Sequence, residues 1–134
     1  MEKYATRRRV AEYLNLIKRY AQNMFVISPR RKNIAFMMQY GLSVDDAKNI
    51  VLQLGVQDYS RGPCSDDHAY LNRNDIWVFG KTLLIEGQDI ETYIKTVVST
   101  HDEGLGCLCI SFHESASPIV YRYGGIENEK IVLP

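Results

Sequence analysis

The sequence has little of what marks exported, membrane-spanning or disulfide-stabilised proteins. No apolar run approaches the roughly 18 residues that a transmembrane helix requires, and residues 1–9 lack the apolar segment of a secretory signal. The chain has three cysteines, an odd number: Cys64, Cys107 and Cys109. We therefore expect reduced thiols in a cytoplasmic protein that makes no membrane contact.

Metal-binding motifs are also scarce. The nearest approaches are Asp66-Asp67-His68 and the pair formed by Cys107 and Cys109, and no second C-x-x-C or H-x-x-x-H pair accompanies them. Two cysteines two positions apart on one strand are a poor start for a tetrahedral site. We expect no metal and no cofactor.

Charge is balanced overall but unevenly distributed. The formal net charge is zero, yet residues 1–40 hold nine Lys and Arg against two acidic residues, and the rest of the chain holds seven against fourteen. A basic front of this kind can attract a polyanion, which makes Arg30, Arg31 and Lys32 candidate RNA contacts. The other interpretation is that these are solvated helix faces.

At 134 residues, 46% hydrophobic and 24% charged, the chain is expected to form one domain over residues 1–134. We divide it into a basic helical front (1–41), a core of one helix and a sheet (42–123) and a peripheral tail (124–134). Three helices are predicted from periodicity and caps. The first carries an apolar stripe from Val10 to Met24. The second is capped by Ser28 and directs Ile34, Met37 and Met38 inward, and the third begins with a Ser43–Asp46 capping box and buries Val44.

The remaining chain reads mainly as strands. Phe25–Ile27 is a short apolar connector or brief strand, and 57–74 is a polar connection without periodicity. Three strands follow, at 76–85, 90–100 and 107–113, joined by short glycine-containing turns that are typical of antiparallel hairpins. A fourth is expected at 118–123. The fold class is therefore α+β, with N-terminal helices packed on one face of a small antiparallel sheet.

Strand alternation predicts the candidate site. Tyr93 and Lys95 share one face of their strand. On the next strand, alternation places Leu108, Ile110 and Phe112 on the apolar face and Cys107, Cys109, Ser111 and His113 on the other. If the apolar faces share a core, a phenol, an ammonium and an imidazole emerge together. Such a surface suits acid–base chemistry on an anion.

Four short motifs occur in a distinctive order. They are Asp58-Tyr59-Ser60-Arg61-Gly62-Pro63, Ile76-Trp77-Val78-Phe79-Gly80-Lys81, Thr92-Tyr93-Ile94-Lys95 and Ile110-Ser111-Phe112-His113. With the third helix they cover roughly residues 42–115, and in this order they resemble the MqsR-type toxins of bacterial toxin–antitoxin systems, within the RelE-like group of messenger-RNA interferases.

The resemblance implies a RelE-like fold, metal-free cleavage of RNA and a cognate antitoxin partner. It points to Arg61, Lys81, Tyr93, Lys95 and His113 as catalytic residues. Histidine suits proton transfer because its unperturbed pKa is near 6.5, so we assign His113 as the general acid, with Tyr93 orienting the phosphate or the 2′-hydroxyl. Lys81, Lys95 and Arg61 would contact the phosphate.

Trp77 and Tyr59 are the aromatic residues that could stack a splayed base. Tyr59 is kept as a candidate RNA contact, whereas Trp77 is expected to be a core residue.

Two alternatives to the enzyme remain open. One is a non-catalytic RelE-like module that binds RNA or protein, which the neutral net charge favours. The other is a small regulatory protein of a mobile element with no role in RNA chemistry.

Overall fold

The computed structural model describes residues 4–65, 75–124 and 128–134. The described residues form three α-helices, one 3-10 turn and six strands. In chain order they are α1 (Arg7–Asn23), β1 (Phe25–Ile27), α2 (Arg31–Tyr40), α3 (Val44–Leu52), the 3-10 turn (Val56–Asp58), β2 (Tyr59–Cys64), β3 (Ile76–Ile85), β4 (Gln88–His101), β5 (Gly104–Glu114) and β6 (Ile131–Leu133). The α+β class predicted from the sequence is correct.

The sheet is mixed rather than purely antiparallel. Its strand order is β1-β5-β4-β3-β2. The sixth strand, β6, stands outside this order and pairs with the last three residues of β3. The two hairpins β3–β4 and β4–β5 are antiparallel as predicted, whereas β1 pairs parallel with β5 and β6 parallel with β3. The short connector at 25–27 is thus a strand that extends one edge of the sheet.

The helices and one face of the sheet enclose the main core. Val10, Leu14 and Ile17 of α1 are buried with strand residues such as Phe79 and Ile94. Trp77 is also in this core, stacked on Tyr13 with ring centroids 4.2 Å apart, which confirms its expected core position. Within the described ranges, no helix has the length and apolar character to cross a membrane.

Helix caps match the sequence at α3 but not at α2. The Ser43–Asp46 capping box forms, with hydrogen bonds of 3.1 and 2.8 Å. The cap of α2 is Arg30 rather than Ser28, and its side chain makes no capping hydrogen bond.

The apolar stripes of the two later helices also differ from prediction. The predicted inward residues Ile34 and Met38 of α2 are 46% and 78% exposed, and Asn33 and Phe36 are buried instead. Val44, at the start of α3, is half exposed. These three apolar residues, which the sequence assigned to the core, lie at the surface.

A β-bulge in β5 changes which residues face the core. Lys95 lies opposite Ser111, but the next residue of β4, Thr96, lies opposite Cys109, so Ile110 is the extra residue. Cys107, Cys109 and Phe112 all belong to the main core, whereas Ile110 belongs to a second apolar cluster with Ile76 and Val97. The predicted alternation of Leu108, Ile110 and Phe112 on one face was therefore wrong.

Two further segments differ from the sequence prediction. The expected fourth strand at 118–123 is irregular, and the tail instead supplies β6, whose Ile131 joins the main core. The polar connection at 57–74 begins with the 3-10 turn and β2. Its residues 66–74, which include Asp66-Asp67-His68, lie outside the described residues.

Candidate functional site

Three of the predicted residues meet on the sheet face opposite the helices. Tyr93 lies directly across from His113, and Lys95 across from Ser111. The rings of Tyr93 and His113 are stacked, with centroids 5.8 Å apart, and the Lys95 ammonium lies 5.9 Å from the centroid of the Tyr93 ring. Paired positions on neighbouring strands hold these groups at fixed spacing.

Helix α2 brings the basic residues of the front to the same place. Strand β1 ends at Ile27, and the buried side chain of Asn33 then takes over the hydrogen bonding of the β5 edge. Its amide nitrogen donates to the carbonyl of Ile110 at 2.9 Å, and its amide oxygen accepts from the backbone N–H of Phe112 at 2.8 Å. The first turn of α2 is thereby held beside the end of β5, where His113 and Ser111 pair with the middle of β4.

The result is a cavity of about 440 Å³, which we call the α2 cavity. It is lined by Arg30, Arg31, Lys32, Asn33, Tyr93, Lys95, Ser111 and His113. No carboxylate lines it among the described residues, and four of the eight lining side chains are cationic. A volume of this size is in the range of small-ligand sites, and the charges suit an anion.

The environment of His113 favours its neutral form. Partial burial is the main cause that lowers the pKa of His113. The hydrogen bond to the backbone of Glu114 opposes this shift, and the nearby charges of Lys32, Arg30 and Lys95 add to it. Its Nδ1 lies 2.9 Å from the carbonyl oxygen of Glu114. A carbonyl only accepts, so Nδ1 carries the proton and Nε2 keeps its lone pair in the neutral ring.

Arg61 reaches the site through Tyr93. Its Nη2 donates to the phenolic oxygen of Tyr93 at 2.9 Å, and its Nη1 lies 3.4 Å from the sulfur of Cys64. A guanidinium at this distance stabilises negative charge on the phenol oxygen. Arg61 is therefore placed to support Tyr93.

Lys81 is not part of this cluster. It lies opposite Thr92 on the helix-facing side of the sheet, where its ammonium pairs with the carboxylate of Asp58 at 3.2 Å. Both side chains are almost fully buried, at 4% and 1% exposed. The sequence predicted that Lys81 contacts the phosphate. In the structure its partner is the carboxylate of Asp58, on the face of the sheet away from Lys95.

The predicted base-stacking residue Tyr59 is also elsewhere. Its ring is fully buried, packed against Trp77, Phe79 and Tyr123. Its hydroxyl accepts from the backbone N–H of Ala5 and donates to the carbonyl of Gly62. No face of the ring is open to a nucleobase in this arrangement, so the predicted RNA contact of Tyr59 would require the ring to leave the core.

Sequence reasoning missed Asn33, which positions the cationic turn. A signal was present: Asn33, Phe36, Met37 and Tyr40 follow the i, i+3, i+4, i+7 spacing of a buried stripe. A polar residue at a buried position needs a hydrogen-bonding partner, and the partner here is the strand edge.

Within the described ranges, no cluster of three or more His, Cys, Asp or Glu side chains could hold a metal ion. Burial raises the pKa of the Cys107 thiol to about 12 and that of Cys109 well above its usual value, so both thiols remain protonated.

No protein-family model matches the chain, and comparisons with curated proteins and with solved structures give no significant match.

Proposed function

We propose that this chain is a metal-independent endoribonuclease of the MqsR type, within the RelE-like group of messenger-RNA interferases. The observation that carries the proposal is the α2 cavity, in which Tyr93, Lys95 and His113 meet the cationic turn of α2. An imidazole, a phenol and several cations around one anion-sized space are the groups that phosphodiester transfer needs.

The reaction begins with the ribose 2′-hydroxyl, whose oxygen attacks the adjacent phosphorus. A P–O2′ bond forms, the P–O5′ bond breaks, and the products are a 2′,3′-cyclic phosphate and a 5′-hydroxyl. The sequence suggested His113 as the acid. Its lowered pKa and its Nδ1–H tautomer favour the opposite role, in which the neutral Nε2 accepts the 2′-hydroxyl proton.

Tyr93 is then the proton donor to the leaving 5′-oxygen. A free phenol with a pKa near 10 is a weak acid for this step, but Arg61 donates to the Tyr93 oxygen at 2.9 Å and stabilises the phenolate that forms. Lys95, together with the cap residue Arg30 and with Lys32 in the first turn of α2, would bind the non-bridging oxygens, where one well-placed donor is worth about 3–4 kcal/mol.

The implied partners are single-stranded RNA and a separate antitoxin protein. A second candidate function is a non-catalytic RelE-like module that binds RNA or protein through the same face. The zero net charge of the chain favours that alternative in its protein-binding form, because most RNA-binding domains carry excess positive charge.

Cleavage of RNA by the purified protein tests the proposal. We expect cleavage that persists in EDTA, 2′,3′-cyclic phosphate ends, and no cleavage when the nucleotide that carries the attacking hydroxyl is 2′-deoxy. His113→Gln and Tyr93→Phe should each lower the rate by about 10²–10⁴ without loss of folding. Binding of RNA without any cleavage by the wild type would support the non-catalytic module instead.

A further inference from the structure

A second cavity adjoins the α2 cavity on the other side of Tyr93. It has a volume of about 490 Å³, and Arg61, Arg122 and the segment 115–120 line it together with Tyr4, Ser60 and Tyr93. We call it the Arg122 cavity. Tyr93 is the residue that lines both cavities, so the two form consecutive compartments along one face of the sheet.

The chemistry of the Arg122 cavity is that of a nucleotide site. Arg61 and Arg122 place two guanidinium groups in its lining, and no carboxylate lines the cavity among the described residues. The guanidinium of Arg122 lies over the ring of Tyr4, 4.3 Å from its centroid, while Tyr4 remains 46% exposed. An exposed aromatic ring beside cations is the combination that binds single-stranded nucleic acid.

The outer wall of this cavity is fixed rather than loose. The carboxylate of Glu91 accepts from the backbone N–H of Ile119 at 3.1 Å and from the hydroxyl of Tyr121 at 3.0 Å. Gly80 lies beneath the segment, and a Cβ there would come within 2.6 Å of both Ile119 and Tyr121. The segment 118–121 therefore packs closely on the sheet, and these contacts hold the wall of the cavity in place.

On the basis of the ribonuclease function above, we propose that the Arg122 cavity binds the nucleotide on the 3′ side of the cleaved bond, with Arg122 contacting that nucleotide's own 3′-phosphate. The direction follows from the two proton-transfer groups. His113 faces the 2′-hydroxyl and therefore the 5′ nucleotide, whereas Tyr93 faces the 5′-oxygen of the 3′ nucleotide. The RNA thus runs 5′ to 3′ from the α2 cavity to the Arg122 cavity.

Dinucleotides that differ by a single terminal phosphate test this direction. The probes are an RNA dinucleotide with no terminal phosphate, with a 3′-phosphate, or with a 5′-phosphate, and their uncleavable 2′-deoxy counterparts. The protein variants are Arg122→Gln and, as a matched control on α1, Arg19→Gln. Arg122 and Arg19 are both exposed, so neither change should affect folding, which circular dichroism and melting temperature check.

For the wild type and Arg19→Gln, we expect the 3′-phosphate to tighten binding of the deoxy probes and to raise kcat/KM by about ten-fold, the value of one charge-assisted hydrogen bond. Arg122→Gln should abolish this gain. It should also reduce the dependence of log affinity on log salt by about 0.7, the change for one phosphate contact on a single strand.

The outcomes separate the subsite from the ribonuclease function. Two results would overturn the proposed subsite while cleavage persists. One is an Arg122-dependent increase in affinity from the 5′-phosphate, and the other is an increase from the 3′-phosphate that Arg122→Gln leaves intact. If no RNA is cleaved, the ribonuclease function fails. An Arg122-dependent gain in binding of the 3′-phosphorylated deoxy probe would in that case support a phosphate-binding role for Arg122 without a cleaved bond.

Discussion

The buried pair of Lys81 and Asp58 provides the sharpest test of how this fold uses its charges. Lys81 was a predicted phosphate contact, but its ammonium lies 3.2 Å from the Asp58 carboxylate in the interior. Lys81→Met keeps most of the side-chain volume and removes the positive charge, which leaves a buried carboxylate without its cation. Breaking a buried pair on one side typically costs about 3–5 kcal/mol.

That cost is large against the total stability of a small domain, about 5–15 kcal/mol. The melting temperature should therefore fall by about 10–20 °C. Lys130→Met is the matched control, since Lys130 pairs with Asp89 at 2.6 Å but both side chains are about half exposed. An exposed pair contributes about 0–1 kcal/mol, so this variant should stay near the wild type in urea unfolding.

The pH dependence of the Lys81→Met deficit has a definite sign. Burial is the main cause that raises the pKa of Asp58, and Lys81 partly opposes it. Without Lys81 the folded-state pKa rises further. A carboxyl whose folded-state pKa is raised destabilises the fold when it is ionised, and this penalty disappears as the pH falls below its unfolded pKa. The difference in free energy of unfolding between Lys81→Met and the wild type should therefore shrink as the pH falls from 7 towards 4.

A double variant completes the test. Asp58→Asn combined with Lys81→Met removes both charges and should recover much of the lost stability. The reasoning is refuted if Lys81→Met unfolds at the same urea concentration as the wild type yet fails to cleave RNA. That pair of results would mean that Lys81 acts on the substrate and does not hold Asp58.

Three further predictions concern the site and its supports. Because its pKa is lowered, His113 should give a cleavage rate that rises with pH to a plateau, with its midpoint below pH 6.5, and a midpoint above 6.5 in the pH–rate profile would contradict its role as the base. Asn33→Ala leaves polar groups of the β5 edge without their partner and should lower the free energy of unfolding in urea by about 2–4 kcal/mol; a loss under about 1 kcal/mol would mean that another group replaces the amide. Gly80→Ala should displace Ile119 and Tyr121, which a new Cβ would approach to 2.6 Å, and should weaken binding of the 3′-phosphorylated deoxy probe; unchanged affinity for that probe would contradict the proposed wall of the Arg122 cavity.

Local pattern was enough for the presence of the three helices, for the cap of α3 and for the central hairpins. The capping box of α3 and the glycine-containing turns after Ile85 and His101 are decided by neighbouring residues, so the sequence predicts them directly. The shared face of Tyr93 and Lys95 follows from the two-residue period of a strand. These features need no knowledge of distant parts of the chain.

Features that depend on contacts between distant segments were not predictable in this way. The bulge at Ile110 reverses the alternation of β5, and nothing in the local pattern marks it. The parallel pairing of β6 with β3 joins the tail to a strand far away in sequence. The irregular segment at 118–123 looked like a strand because it is apolar, but it is held by Glu91 instead.

The candidate site shows the same division. The sequence by itself determined that an imidazole, a phenol and an ammonium lie on adjacent strands, because alternation and hairpin pairing fix their spacing. Only the tertiary structure decided which cations join them. Gly80 lies opposite Tyr93 on the cavity face of the sheet, whereas the next residue, Lys81, lies opposite Thr92 and points to the helix-facing side. In that buried position the carboxylate of Asp58 balances the charge of Lys81. The cations that do reach the cavity come from α2, held there by the hydrogen bonds of Asn33 to a strand edge some 80 residues away.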